Sequence, residues 1–269
     1  MRAAGKWLGV AGVLLFTLFP VYLMVVTALN GEANAGSRTL WPTEWTLQNF
    51  AYVVGDGGFG RYLANSLVVA LGTVLAGAAL ALLAAVAVSR FRFRFRTSVL
   101  VMVLIIQMVP VEALVIPLFI QARTLQMLDT LAGLTVVYLA FSLPFAIWTL
   151  RGFVAAVPVE LEEAAYLDGA SWGRMFRSVL LPLVAPGLVA TSVFSFIVAW
   201  NEFIFALTFM SDDQNYTVAV GLRRFFGQHA TDWGAVMAAS TLITIPVMVF
   251  FVIAQKRLTD GLVAGAVKG

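Results

Sequence analysis

Six stretches of this chain are too long and too uniformly apolar to fold in water, and they dictate most of what it can become. They cover roughly 7–29, 62–89, 97–121, 131–150, 183–209 and 233–254. A run of about 18 or more apolar residues with few charges reads as a membrane-spanning helix. The second, fourth and sixth runs contain no Asp, Glu, Lys or Arg; the third and fifth hold one acid each, Glu112 and Glu202. Strands of a membrane barrel would alternate apolar and polar residues over about ten positions, and these runs do neither. Backbone groups must be satisfied within each span in hydrocarbon, so helices are expected. With 61% hydrophobic and 12% charged residues over 269 positions, there is too little polar surface for a soluble globule of this size. The expected class is an all-α integral membrane protein, residues 1–269 forming a single transmembrane domain of six helices.

The cations set the orientation. With the amino terminus in the cytoplasm, the inner flanks hold Arg2, Lys6, Arg90, Arg92, Arg94, Arg96, Arg151, Arg174, Arg177, Lys256, Arg257 and Lys268. Only Arg38, Arg61, Arg123, Arg223 and Arg224 fall outside. This asymmetry satisfies the positive-inside rule and places both termini in the cytoplasm. Arg2 and Lys6 before an apolar run, with Ala33-Asn34-Ala35 beyond it, could pass for a signal peptide. The run exceeds the usual core of about 7–15 residues, so a retained first helix is expected. The sequence has no Cys, which excludes disulfides and thiolate metal sites. Its basic balance reflects inward-facing Arg and implies no nucleic acid. His229 near Asp232 is too little for a zinc site.

Residues 30–61 form the longest outer loop, where Trp45, Phe50, Tyr52 and Val53 suit a short interfacial segment. The second run is rich in Gly72, Ala76, Gly77, Ala81, Ala84 and Ala85. Such small-residue spacing lets helix backbones approach closely, within this chain or against another. The alternation Arg90-Phe-Arg-Phe-Arg-Phe-Arg96 reads as an inner-surface anchor, with Arg to lipid phosphates and Phe in the interface.

One long charged interval separates interior helices, residues 159–182, and the charge count places it in the cytoplasm. Pro158 suits the start of a helix, where its missing N–H costs nothing. Glu160, Glu162 and Glu163 then lie at the positive end of the helix dipole, favoured by a few tenths to about 1 kcal/mol each. Asp168-Gly169 is a stop signal, because Gly accepts the left-handed backbone that ends a helix. Ala164 and Ala165 are small enough to seat against another surface. Beyond the turn, Ser171 can cap a second helix whose apolar face carries Trp172, Met175, Phe176, Val179 and Leu180. Pro182 is expected to close this elbow at the membrane. Composition alone also allows an ordinary interfacial loop.

The order of residues narrows the choice. Glu163-Ala164-Ala165, then Asp168-Gly169-Ala170, then Leu181-Pro182 after a fixed spacer resemble the EAA loop of ABC importer permeases. Val179 stands where that family most often has Ile. Pro144-Phe145-Ala146-Ile147-Trp148, Trp200-Asn201-Glu202-Phe203 and the tail from Gly261 to Gly269 look like the carbohydrate-uptake permeases of the maltose-transporter type, specifically the second permease. The likeness runs from the first helix onward. It implies the type I importer fold with cytoplasmic EAA coupling helices, set in a bacterial or archaeal inner membrane. It also implies that Glu163, Ala164, Ala165, Asp168, Gly169, Leu181 and Pro182 seat in a cleft of a cytoplasmic ATPase dimer. Gly265, Lys268 and Gly269, in the tail 255–269, would reach between the ATPase subunits; a frayed terminus is the plainer alternative. A second homologous permease, forming a heterodimer, and an extracytoplasmic sugar-binding protein complete the implied partners.

No G-x-x-x-x-G-K-[ST] pattern occurs, so this chain does not cradle ATP by that motif. It is expected to be a transporter subunit, without its own enzyme site or cofactor, whose ATP and Mg are bound by the partner. Intramembrane acids are functional candidates by default. Trp200, Asn201 and Glu202 in the fifth run, with Gln107 and Glu112 in the third, combine aromatic faces and hydrogen-bonding groups that suit a sugar. The plainer alternative pairs each acid with backbone or with the partner permease. The expected cargo is a di- or oligosaccharide moved by alternating access; a glycerol-phosphate-type solute remains open. A proton-coupled secondary transporter is the alternative class, disfavoured by the lack of an obvious inverted repeat or Gly/Pro-broken helix pair.

Overall fold

The computed structural model describes the backbone of residues 2–34, 40–227 and 230–266, and the side chains of 5–34, 40–227 and 230–255. Among these the protein is helical, its only extended pairings being two isolated bridges, Asn30 with Trp45 and Phe226 with Thr231. The chain forms two compact units, one from Met1–Ala64 with Thr217–Val247, the other from Asn65–Tyr216 with Met248–Gly269.

The first unit contains α1 (Arg2–Ala28), α2 (Gln48–Val54) and the start of α3 (Phe59–Arg90). To these it adds α11 (Val218–Gly221) and the start of α12 (Trp233–Ala266). Trp7, Leu8 and Phe16 on α1 are largely exposed, as expected of a helix that meets lipid tails. The loop beyond it is organised by buried Asn30, whose Oδ1 accepts from Thr43 Oγ1 at 3.0 Å and from the Glu44 amide at 3.3 Å. Phe59 and Phe225 meet at 5.9 Å and Phe59 and Tyr62 at the same separation, forming an aromatic cluster.

The second unit continues α3 and adds α4 (Arg96–Gln107), a 3-10 turn (Val111–Leu114), α5 (Val115–Thr124) and α6 (Leu131–Ala156). Then come α7 (Val159–Leu167), α8 (Trp172–Met175), α9 (Leu181–Asn201) and α10 (Ile204–Phe209). Its centre is α6 packed on α9. The Phe145 and Phe194 rings lie 3.9 Å apart, and the Phe153 ring lies against Gly187, where a Cβ would come within 2.4 Å of it. The small-residue face of α3 meets α6 in the same chain: a Cβ on Gly72 would stand 3.2 Å from Thr135, and one on Gly77 3.4 Å from Leu139. Thr130 starts α6 by accepting the Gly133 amide on its Oγ1 at 3.0 Å, a conventional N-cap.

Among the described residues five helices are long and apolar enough to cross a membrane, and α4 with the segment Val111–Thr124 forms a pair bent by 96°, the geometry of a broken span or a re-entrant loop. The sequence suggests one unbroken helix over 97–121; the structure breaks it. Pro110 has no N–H and its ring collides with the carbonyl four residues earlier, so the helix ends at Gln107 and restarts beyond the proline. A second break separates α9 from α10 at Glu202 and Phe203, which are extended and irregular respectively. The helix breaks that the sequence did not reveal are therefore present in two spans.

Candidate functional site

The elbow after α6 is built in three steps. Val157 and Pro158 turn the chain out of α6 in extended conformation, and α7 begins with Glu160 and Glu162 in its first turn. It ends in a Schellman motif. The Gly169 amide donates to the Tyr166 carbonyl at 3.0 Å and the Ala170 amide to the Ala165 carbonyl at 2.9 Å. Gly169 has φ +80°, in the left-handed region that a Cβ penalises. Ala165 and Ala170, brought together by this closure, pack against a buried cluster that includes Leu150, Val154, Met175, Leu180 and Val184. The elbow is thus a rooted structure.

Past the turn, α8, a π-helical stretch (Phe176–Leu180) and α9 run on as one helix over Trp172–Asn201. This corrects the expectation that Pro182 closes the elbow. The proline lies inside the helix, and the Leu181 amide reaches back five residues to the Phe176 carbonyl. A wider turn beside a residue that lacks a donor accommodates it without a stop. The apolar face expected here is present: Met175 and Leu180 are buried, Phe176 and Val179 pack on the same cluster, and Trp172 stacks on Phe176 at 5.3 Å.

Of the residues singled out for coupling, Glu163, Ala164, Asp168, Gly169 and Pro182 are exposed, and Ala165 and Leu181 are half-buried with their apolar sides on the cluster. Leu167, 89% exposed, and Leu161 and Tyr166 extend the free surface of α7. A cleft of about 240 Å³ between α7 and the following helix is lined by Ala165, Asp168, Ala170, Arg174, Met175 and Val179. The elbow therefore offers small side chains, acids and exposed apolar groups on one surface rooted in the bundle. That combination suits a protein partner.

Sequence reasoning missed the residue that fixes α7 to the rest. Arg90, the last residue of α3, donates from Nε to Glu162 Oε1 at 2.8 Å and from a terminal nitrogen to the Val157 carbonyl at 2.8 Å. Both side chains are mostly buried, 14% and 9% exposed. Arg90 is the first member of the Arg-Phe alternation, and nothing in that pattern sets it apart from its neighbours. Only the closing of the α6–α7 corner does so.

The residues singled out for a pathway lie at the two helix breaks. Gln107 and Glu112 flank the α4–α5 break and are exposed. At the other break Asn201 is exposed, its Nδ2 donating to the Ile197 carbonyl at 2.9 Å. Glu202 turns back on the start of α10. Oε1 accepts from the Phe205 amide at 2.9 Å; Oε2 accepts from the Ala206 amide at 3.1 Å and from Tyr138 Oη at 2.6 Å. Trp200 is buried and stacked on Phe196 at 5.4 Å, its Nε1 without a partner. The segments beyond the breaks meet, with Phe119 of α5 and Phe209 of α10 at 6.3 Å. Among the described residues no cluster of three metal-ligating side chains occurs. Gly265 lies in α12; Lys268, Gly269 and His229 lie outside the described residues.

Residues 77–263 match the family described as binding-protein-dependent transport system inner membrane component. That span takes in the elbow, both breaks and most of the bundle. The chain belongs to this family. The permease is 41% identical, over 98% of its length and 97% of the relative's, to the diacetylchitobiose uptake system permease protein DasC of Streptomyces coelicolor. It is 36% identical to the trehalose transport system permease protein SugB of Mycobacterium tuberculosis, over 94% of this chain and 93% of that one. With the trehalose/maltose transport system permease protein MalG of Thermococcus litoralis it shares 37% identity over 94% and 92% of the two chains. Its fold resembles a chain of a bacterial ABC transporter that imports the polysaccharide alginate, with TM-score 0.79, 20% identity and 95% of each chain covered. The permease is a multi-pass inner-membrane subunit of an import system.

Proposed function

We propose that the permease moves a sugar, a di- or oligosaccharide, delivered by an extracytoplasmic binding protein and driven by ATP hydrolysed in a separate cytoplasmic ATPase dimer. The observation that carries this reading is the elbow: a short helix with Glu163 and Ala164 exposed, closed by Gly169 and rooted in the bundle. A rigid surface helix transmits displacement better than a flexible loop. The positive-inside count supports a cytoplasmic elbow and cytoplasmic termini. The relatives' sugars support the class of cargo, and the permease pairs with a second, homologous permease.

Gln107, Glu112 and Asn201 present exposed polar groups at the two helix breaks, and these line the sugar's path in this reading. Non-helical backbone at membrane depth is tolerated where it lines a cavity. Glu202 shapes the second break through its three hydrogen bonds. Trp200 meets cargo only when that break rearranges, since it is buried here. Contact with the ATPase dimer is assigned in this reading to the tail that holds Gly265, Lys268 and Gly269, of which the last two lie outside the described residues.

The test is uptake by the assembled system in proteoliposomes, with labelled disaccharides and the binding protein present. Accumulation that requires ATP inside the ATPase-facing compartment and survives a proton ionophore is expected. Uptake that follows a proton gradient without ATP would overturn the reading in favour of secondary transport.

A further inference from the structure

The corner between α6 and α7 contains Val157 and Pro158, two residues in extended conformation with no helix hydrogen bond across them. A helix of nine residues attached through such a corner would swing. Three things oppose this. The Schellman closure packs Ala165 and Ala170 on the cluster at the far end of α7. Glu162, in the first turn, is buried. Arg90 grips both sides of the corner, with Val157 on the α6 side and Glu162 on the α7 side. A planar guanidinium presents donors in a fixed fork, so one side chain sets the angle between the two helices. Its position at the carboxyl end of α3 also complements that helix's dipole. The turns of α3 just before it are packed in place, since Ala81, Leu82, Ala85 and Val86 belong to the same buried cluster as Leu150, Val154 and Val157.

We propose that Arg90 is the positioning residue that makes α7 move as one body with α3 and α6. Through it a displacement of the elbow becomes a displacement of the membrane helices. This rests on the reading that α7 docks the ATPase. Glu163 faces outward for the partner, and Glu162, its neighbour one residue earlier, faces inward for Arg90. Adjacent glutamates thus divide the two tasks, since side chains one position apart on a helix point about 100° apart. Without the latch the ATPase would still dock and turn over, but its motion would be spent in swinging α7 about Pro158.

The chain has no cysteine, so spin labels can be placed without background. Leu167→Cys on α7 and Gly152→Cys on α6 are exposed positions, and the full chain labelled at both gives a distance distribution by pulsed electron resonance. A narrow distribution is expected for the otherwise unaltered chain, broadened by Arg90→Gln and by Glu162→Gln. The double variant should be no broader than either single one, and Arg90→Lys intermediate. In the reconstituted importer the same Gln variants should lower sugar moved per ATP hydrolysed by on the order of fivefold or more, with ATP hydrolysis retained. The ratio, unlike either rate alone, does not fall merely because less protein is folded. Unchanged distributions in both Gln variants would overturn the latch itself, whatever drives transport. Broadened distributions with an unchanged ratio would overturn its role in coupling while leaving the geometry.

Discussion

Gly169 permits a quantitative test of the elbow. Its φ of +80° lies where an L-residue places Cβ against its own backbone, at roughly 1–2 kcal/mol. A Cβ at this site would meet nothing within 4 Å, so the whole penalty is conformational and none is a clash with neighbours. About 1–2 kcal/mol is a factor of roughly 5–30 in the population of the closed turn, set against the Gly169 and Ala170 hydrogen bonds and the Ala165–Ala170 packing. Residue types should therefore rank by their tolerance of the left-handed region. Asn, which visits it several-fold more often than most residues, should retain most ATP-driven uptake. Ala should lose an intermediate share, and β-branched Val the most. The assay is uptake in proteoliposomes at matched incorporation, with hydrogen exchange at the amides of residues 169 and 170 as the structural readout. If Gly169→Asn were as damaging as Gly169→Val, the backbone argument would be refuted. The position would then be reserved for close approach by the partner.

Two further predictions address the bundle. Gly187→Ala forces a Cβ to within 2.4 Å of the Phe153 ring, an overpacking of about 1–3 kcal/mol; thermal unfolding in detergent should drop, and adding Phe153→Leu should restore part of the loss, whereas no drop would mean the α6–α9 contact is looser than described. Tyr138→Phe removes one of the three hydrogen bonds on the Glu202 carboxylate, while Glu202→Ala also strips the Phe205 and Ala206 amides of their acceptor, at about 1–3 kcal/mol for each group left unpaired in a buried site. Unfolding midpoints should fall in that order, and the reverse order would show that the carboxylate does not hold the second break.

The parts of this fold that were legible in the sequence are those written in local composition. Long apolar runs announce helices, the small residues of α3 announce a close neighbour, and Asp168-Gly169 announces a helix end. What escaped was the consequence of each proline in its tertiary setting. Pro110 breaks a span by 96°, whereas Pro182, read as a terminator, is absorbed by a π stretch. The same missing N–H has opposite outcomes because the helix beyond Pro182 is held on the buried cluster through Leu180 and Val184. Nothing comparable holds the chain at Pro110, where Met108 and Val109 are exposed. The site residues divide similarly. The exposed acids and alanines of α7 follow from the pattern of the interval, but the assignment of Glu162 to Arg90 joins positions 72 residues apart and needs the fold. Glu202 reads in sequence as a membrane acid in search of cargo, because the break it caps cannot be seen until α9 stops.

The absorbed proline has a consequence for reach. A helix of 30 residues, Trp172 to Asn201, is about 45 Å long at about 1.5 Å per residue, against a hydrocarbon layer of about 30 Å. Upright, about a third of it would project beyond the lipid on the side of the elbow, and its opposite end stops at Asn201, beside the carboxylate that shapes the second break. The π stretch at Phe176–Leu180 lies near the Trp172 end of this helix. In the reading proposed above, the elbow that meets the ATPase and the break at Glu202 are thus the two ends of one continuous helix.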